Sequence, residues 1–386
     1  MMKPLDGLKV LDFSTLLPGP FASMLLADMG ADVIRVESPD KPDIVRDLEP
    51  QIEGQSSAFR YLNRGKRSIA LNLKSQKAIE VVHKLLDEFD IVIEQFRPGV
   101  MTKLGIGYDQ LKQVKPDLIY CSITGYGQSG EYANRAGHDI NYLALSGISS
   151  HTGRVSSGPS LSGLQIADLA GGSQPAVIGI LSAVIHRSRT GEGAHIDISM
   201  TDNCLALQPL LVPGQLNGAS KEQLETHFLN GAGIYDYYPT RDGRYIAVGS
   251  LEPKFKRILL ETLNLSDAEN LNDESLKVKL KERFLSADQH DWVHLFSAVD
   301  ACVEPVLDIK QTINHPLFTS RGLVTRTDTG EIQIAPAIRF NGTVNELPDP
   351  APNLGGNRDE ILTQIGLSQL DIDQLRDQGL FGNQEQ

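Results

Sequence analysis

Leu8-Lys9-Val10-Leu11-Asp12-Phe13 reads as a strand, the turn Pro18-Gly19-Pro20 opens an apolar-periodic helix from Phe21 to Met29, and Asp32-Val33-Ile34-Arg35-Val36-Glu37 reads as a second strand. A strand, a helix and a strand in so short a span form a βαβ unit. Its consequence is a parallel sheet flanked by helices. The rhythm then continues through strands at Ser68–Leu73, Ile91–Glu94, Leu118–Ile123 and Ala194–Ser199, with helices over 77–88 and Pro175–His186. In open sheets of this kind a ligand sits beyond the carboxyl ends of the strands.

An acidic residue, Glu37, ends the second strand, which suggests a dinucleotide-binding domain. However, Leu16–Phe21 contains no G-x-G-x-x-G, and its prolines have no N–H to offer a pyrophosphate. NAD is therefore set aside. The run Arg60, Arg64, Lys66, Arg67 with Lys74 is the one basic patch, either a solvated cluster or a place for phosphates.

The texture changes after the last strand. At 386 residues the chain exceeds one simple core, and the expected division is a large domain over 1–205, a linker over 206–230, a small α+β domain over 231–325 and a return segment over 326–386. The linker carries Pro209, Pro213, Gly214 and Gly218, and the small domain opens on a hairpin with Arg241-Asp242-Gly243 at its turn. With a net charge of −13 the chain is not expected to bind nucleic acid. No apolar run approaches the length of a bilayer span, so no membrane partner is expected. The start lacks the pattern of a signal peptide, and the expected compartment is the cytoplasm. Cys121, Cys204 and Cys302 lie too far apart for metal-ligand spacing, so no metal is expected.

Two acids and a histidine stand at helix entrances. In Ala136–Gly147, Asp139 is a good N-cap, and Ile140, Leu143, Ala144 and Gly147 fall on one helical face. This puts His138 at the mouth of a helix. Asp168 precedes an apolar helix whose face of Val177, Ile180, Leu181, Val184 and Ile185 is expected to be buried. From the residues alone two readings stay open: Asp139 caps, His138 packs and Asp168 is a plain N-terminal acid, or these groups move protons.

Leu17–Phe21, Ala27–Glu37, Asn63–Ser68, Gly125–Gln128 and Leu354–Leu362 resemble the family III CoA-transferase superfamily (CaiB/BaiF-like) along nearly the whole chain. Gly137–Tyr142, Asp168–Gly172, Val248–Pro253 and Asp300–Val303 most resemble the α-methylacyl-CoA racemase group within it. The resemblance implies a Rossmann-like large domain with a parallel sheet, a smaller α+β domain and an interlocked homodimer. It also implies racemisation of 2-methylacyl-CoA thioesters by two-base proton transfer through an enolate. His138 and Asp168 would be the bases, the Asp139 N–H would meet the enolate oxygen, and Glu252 would orient His138. The backbone of Leu71, Asn72 and Leu73 with Lys74, Arg97 and Lys103 would hold the CoA, and Gly137 and Tyr142 would border the thioester. CoA arrives as part of the substrate, so no separate cofactor is implied. Ser38 and a long 47–61 segment depart from the racemase pattern.

Two other functions fit the same residues. In a CoA-transferase, Asp168 would attack the thioester and form a mixed anhydride; His138 and the lack of a glycine run in the small domain weigh against this. A non-catalytic acyl-CoA binder has no need of His138, Asp168 and Glu252 together.

Overall fold

The computed structural model describes residues 3–218, 223–327, 330–342 and 346–382. Six apolar runs become the strands of one sheet: β1 Lys9–Asp12, β2 Asp32–Glu37, β3 Lys66–Ala70, β4 Ile91–Glu94, β5 Ile119–Thr124 and β6 Ala194–Ser199. Every neighbouring pair is parallel, and the order is β6-β5-β4-β1-β2-β3. β4 and β5 are buried along their whole length, and for that reason they read as continuous rather than alternating apolar segments. The direction of winding reverses between β1 and β4. There the loops leave in opposite directions and open a crevice at the carboxyl ends.

β3 starts two residues earlier than expected, because its first side chain is internal. Lys66 is buried, with its ammonium 2.9 Å from the Pro20 carbonyl, 3.0 Å from Asn63 Oδ1 and 3.5 Å from Asp12 Oδ2. The rest of the basic run is likewise neutralised within the fold. Arg60 pairs with Glu331 at 2.8 Å, Arg64 grips Asp28 through two bonds of 2.9 and 2.7 Å, and Arg67 pairs with Asp32 and Glu360. As a whole the run is neither a solvated cluster nor a phosphate site: four of its five cations are structural, and Lys74 alone stays exposed and open to a ligand.

Helices cover both faces of the sheet. One face carries α1, Pro18–Asp28, and a continuous helical stretch of 24 residues, Ala167–Thr190, packed on β5 and β6. This corrects the expectation that no apolar run is long enough to span a bilayer, since Ala167–Thr190 is long and apolar enough by length and composition. The other face carries α3, Gln76–Leu85, together with Ile361, Leu362, Ile372, Leu380 and Phe381 from the end of the chain. The expected single final helix is two, broken at Gly366, which sits at φ 84°. Between α1 and α3 lies α2, Ser57–Asn63.

The chain divides into two units. The larger holds residues up to Ser146, Ser162–Leu207 and the chain from Arg321; the smaller holds Gly147–Leu161 and Gln208–Ser320. Two boundaries therefore differ from expectation. Residues 147–161 belong to the smaller unit, because Arg154 reaches Glu225 at 3.0 Å and also pairs with Asp236. The region around 208–230 is no free linker, since Gln208 bonds His151 at 2.9 Å and Asn230 donates to the His151 carbonyl. The expected hairpin forms as β7 Asp236–Pro239 and β8 Tyr245–Val248, with β9 Val303–Pro305 completing the sheet. Ile246, Val248, Leu259, Leu280, Phe284 and Trp292 contribute to its core.

Candidate active site

The crevice at the carboxyl ends holds the candidate site. α4, Asp139–Leu145, begins at His138, whose backbone is extended (φ −129°, ψ 172°) and whose N–H donates to Asn141 Oδ1 at 3.0 Å. So His138, not Asp139, is the capping position, and Asn141 reaches back to it. The Asp139 carboxylate does something else: its Oδ1 accepts the N–H of Ala167 at 2.6 Å and of Asp168 at 3.2 Å. These are donors at the mouth of the next helical segment, which lacks partners of its own there. The expected apolar face of α4 is also different. Tyr142, Leu143 and Ser146 are buried, while Ile140 and Leu145 are more than half exposed.

Tyr142 shapes the floor. Its hydroxyl donates to the Gly137 carbonyl at 2.6 Å, and its ring lies so close to Gly125 and Gly137 that a Cβ on either would collide with it. Burial, with Asp168 beside it, pushes the Tyr142 hydroxyl up to about 12. It is a neutral donor at any working pH. Tyr126 meets Tyr142 edge-on at 5.3 Å and Tyr132 at 5.7 Å, and Arg135 stacks on Tyr132 at 3.9 Å.

Asp168 stands in the first turn of a π-helical segment, Ala167–Ser173, that runs into α5, Gln174–Thr190. A π turn carries an extra residue and is often found at functional sites. Gly171 lets it approach the next element closely, since a Cβ there would lie 2.8 Å from the Met200 carbonyl oxygen. Ser173 Oγ bonds the Pro18 carbonyl at 2.7 Å and ties the segment to α1. The Asp168 carboxyl is raised to about 6, first by burial and then by the charge of Asp139, with His138 pulling in the opposite direction. The α5 face is less buried than expected: Val177 and Ile180 are buried, but Ile185 is 53% exposed.

His138 and Asp168 line one cleft of about 420 Å³, with Gly137, Tyr142, Arg97, Arg135, Thr124 and Met200. Its walls come from the ends of β1, β4 and β5, at the reversal point of the sheet. The N-terminus of α1 offers no pyrophosphate cradle, because the Gly19 N–H is taken by Gln95 Oε1 at 2.9 Å and its neighbours are prolines. A smaller polar cavity of about 130 Å³ adjoins at Arg97, and within it burial raises Glu94 to about 7.

The remaining expected residues are spread over both units. Leu71–Lys74 follow β3; the N–H of Leu71 bonds the Glu37 carbonyl and that of Asn72 the Leu380 carbonyl, both at 2.9 Å. Lys74, Arg97 and Lys103 are exposed, and among the described residues none of the three is ion-paired. Glu252 belongs to the smaller unit, where it is exposed at the start of α6, Pro253–Thr262. Thr124, Arg135 and Met200 were not expected. Thr124 ends a strand and Arg135 stands two residues before Gly137, and position was the only signal either offered.

A doubly wound parallel sheet with a carboxyl and an imidazole in the crevice at its reversal point defines an α/β enzyme of acid–base or acyl-transfer chemistry. The chain belongs to CoA-transferase family III, whose profile matches residues 5–358. It is 36% identical over 379 residues to human alpha-methylacyl-CoA racemase, covering 96% of each chain. It is 32% identical over 381 residues to human succinyl-CoA:glutarate CoA-transferase, covering 94% of this chain and 86% of the other. Among solved structures it is similar to a CAIB/BAIF family protein from Brucella suis, with a TM-score of 0.83 and 30% identity over 95% of this chain and 100% of that one.

Proposed function

We propose that this protein is a racemase or epimerase of 2-methylacyl-CoA thioesters. One observation carries the reading: His138 and Asp168 line the same cleft, and Asp168 is raised to about 6, near the working pH of a general acid–base group. The Asp168 carboxylate takes the α-proton, and the C–H electron pair moves through the carbonyl to leave an enolate oxygen. Protonated His138 then returns a proton to the opposite face of the α-carbon. The pair holds one proton before and after, and the reverse reaction exchanges the roles.

Supporting residues follow from the same reading. The Asp139 N–H occupies the first turn of α4, where helical N–H groups have no intrahelical partner, and it suits an anionic oxygen. Lys74, Arg97 and Lys103 hold the CoA phosphates, and the Leu71–Leu73 backbone, whose Leu71 and Asn72 N–H groups are already paired, borders the nucleotide. A homodimer brings Glu252 of one subunit to His138 of the other. Ile140 and Leu145 on α4 and Ile178 and Ile185 on α5, all more than half exposed, support such an apolar interface.

A second reading is favoured by the CoA-transferase relatives, human succinyl-CoA:glutarate CoA-transferase among them. There the Asp168 oxygen bonds to the acyl carbon, the C–S bond breaks and CoA leaves as the thiolate. One experiment separates the two: a single epimer of a 2-methylacyl-CoA is incubated in D₂O with no acceptor acid. Deuterium uptake with epimerisation, lost in His138→Ala, establishes the racemase. No exchange, with CoA transfer on adding a carboxylic acid and an Asp168 adduct trapped by hydroxylamine, establishes the transferase.

A further inference from the structure

Thr124 is the last residue of β5 and lines the cleft beside His138 and Asp168, yet its Oγ1 is buried and has no hydrogen-bond partner among the described residues. The residue is only 7% exposed. A hydroxyl shielded from water without a partner costs on the order of 1–3 kcal/mol, and native folds rarely keep one without a use. The surroundings indicate the use. β5 touches the π-helical segment that carries Asp168, and Thr124 pairs in register with Ser199, next to Met200 of the cleft wall. The following residue, Gly125, underlies the Tyr142 ring, which in turn neighbours Asp168. Thr124 therefore lies at the reacting end of the cleft. Of the three unpaired cations, Arg97 lines this cleft and Lys74 and Lys103 do not. A threonine hydroxyl and methyl exchange places by a rotation between staggered χ1 wells, which turns the oxygen toward a bound group without moving the strand.

We propose that the Thr124 hydroxyl donates a hydrogen bond to the thioester carbonyl oxygen of the bound acyl-CoA. This inference rests on the acyl-CoA reading above. It applies to either reaction, because that same oxygen gains negative charge as an enolate during proton removal and as a tetrahedral intermediate during acyl transfer. The donor is most useful where charge develops. Its loss therefore slows the reaction more than it weakens binding.

The test uses the full chain and isobutyryl-CoA labelled with ¹³C at the carbonyl, in wild type, Thr124→Val and Thr124→Ser. Isotope-edited infrared spectroscopy reads the carbonyl stretch of the bound thioester, and α-deuteration or CoA transfer gives kcat and KM. The expected result is a lowered stretch in wild type and Thr124→Ser that rises in Thr124→Val, with kcat of Thr124→Val down about tenfold to a hundredfold and KM nearly unchanged. The melting temperature of Thr124→Val is expected to hold or rise, since no internal hydrogen bond is lost. An unchanged stretch and kcat in Thr124→Val overturns the proposal, as does a lower melting temperature, which would mean that the hydroxyl is paired inside the fold. Wild type that fails to bind the thioester overturns the acyl-CoA reading itself. That failure is told apart by being seen before any substitution is made.

Discussion

The acid limb of the pH–rate profile carries the signature of Asp168. The pair formed with His138 works only while it holds a single proton, and that one protonation state serves both directions, so the two epimers must give the same bell-shaped kcat/KM profile. Burial and then the Asp139 charge lift Asp168 from 3.8 to about 6, a difference of about 3 kcal/mol between its two protonation states. Below about pH 6 the pair takes up a second proton, and activity falls about tenfold per pH unit. Asp139→Asn removes the second cause and keeps an oxygen for the N–H groups of Ala167 and Asp168. Burial is the larger cause and persists, so the limb moves down by about one pH unit and stays above 3.8. The assay is α-deuterium exchange from about pH 4.5 to about pH 8.5 with each epimer in turn. A limb that stays near 6 in Asp139→Asn refutes the electrostatic argument. Different midpoints for the two epimers refute the shared proton.

Other changes test other parts of the structure. Asp28→Ala leaves Arg64 charged and buried without its carboxylate, and urea unfolding should show a loss of about 3–5 kcal/mol. Gly125→Ala drives a methyl into the Tyr142 ring; it should cost about 1–3 kcal/mol of stability and a larger share of activity, and retention of both would mean that the ring moves freely. Lys74→Ala and Arg97→Ala should each raise KM for the CoA thioester about tenfold with little change in kcat, and the effect should shrink as salt is added. A change confined to kcat in either variant would remove that cation from the CoA site.

The six strands were legible because both faces of the sheet are covered, so burial leaves uninterrupted apolar runs in the sequence. His138 and Asp168 were singled out by the family resemblance, since an acid at a helix entrance is ordinary and the residues alone left a capping and packing reading open; the structure does place them in one cleft. The basic run was misleading for a reason that no local window reveals. Arg64 meets an acid 36 residues away and Arg60 one that is 271 residues away, and only the folded chain brings them together. Asp139 looked like a cap from its neighbours and proves to be tied to the following helical segment. The apolar side chain Ile185 fits the helical period and yet faces outward, because period alone does not say what covers a stripe. Thr124 offered only its place at a strand end: an unpaired hydroxyl is a property of its surroundings, not of its residue type.

The closing of the sheet by the last stretch of chain has a consequence for synthesis. All six strands have been made once Ser199 is in place, but the apolar cluster of Leu11, Val36, Ile69 and Val92 with α3 stays incomplete until Ile361, Leu362, Leu380 and Phe381 emerge. In the meantime the ribosome produces Gln208–Ser320, the bulk of the smaller unit. The nascent large unit thus carries an apolar surface through more than a hundred residues of elongation, and its final contacts are among the most distant in sequence. High contact order slows closure and lengthens exposure to aggregation. A chaperone that shields this face during elongation is expected to raise the yield of folded protein more than one added after release.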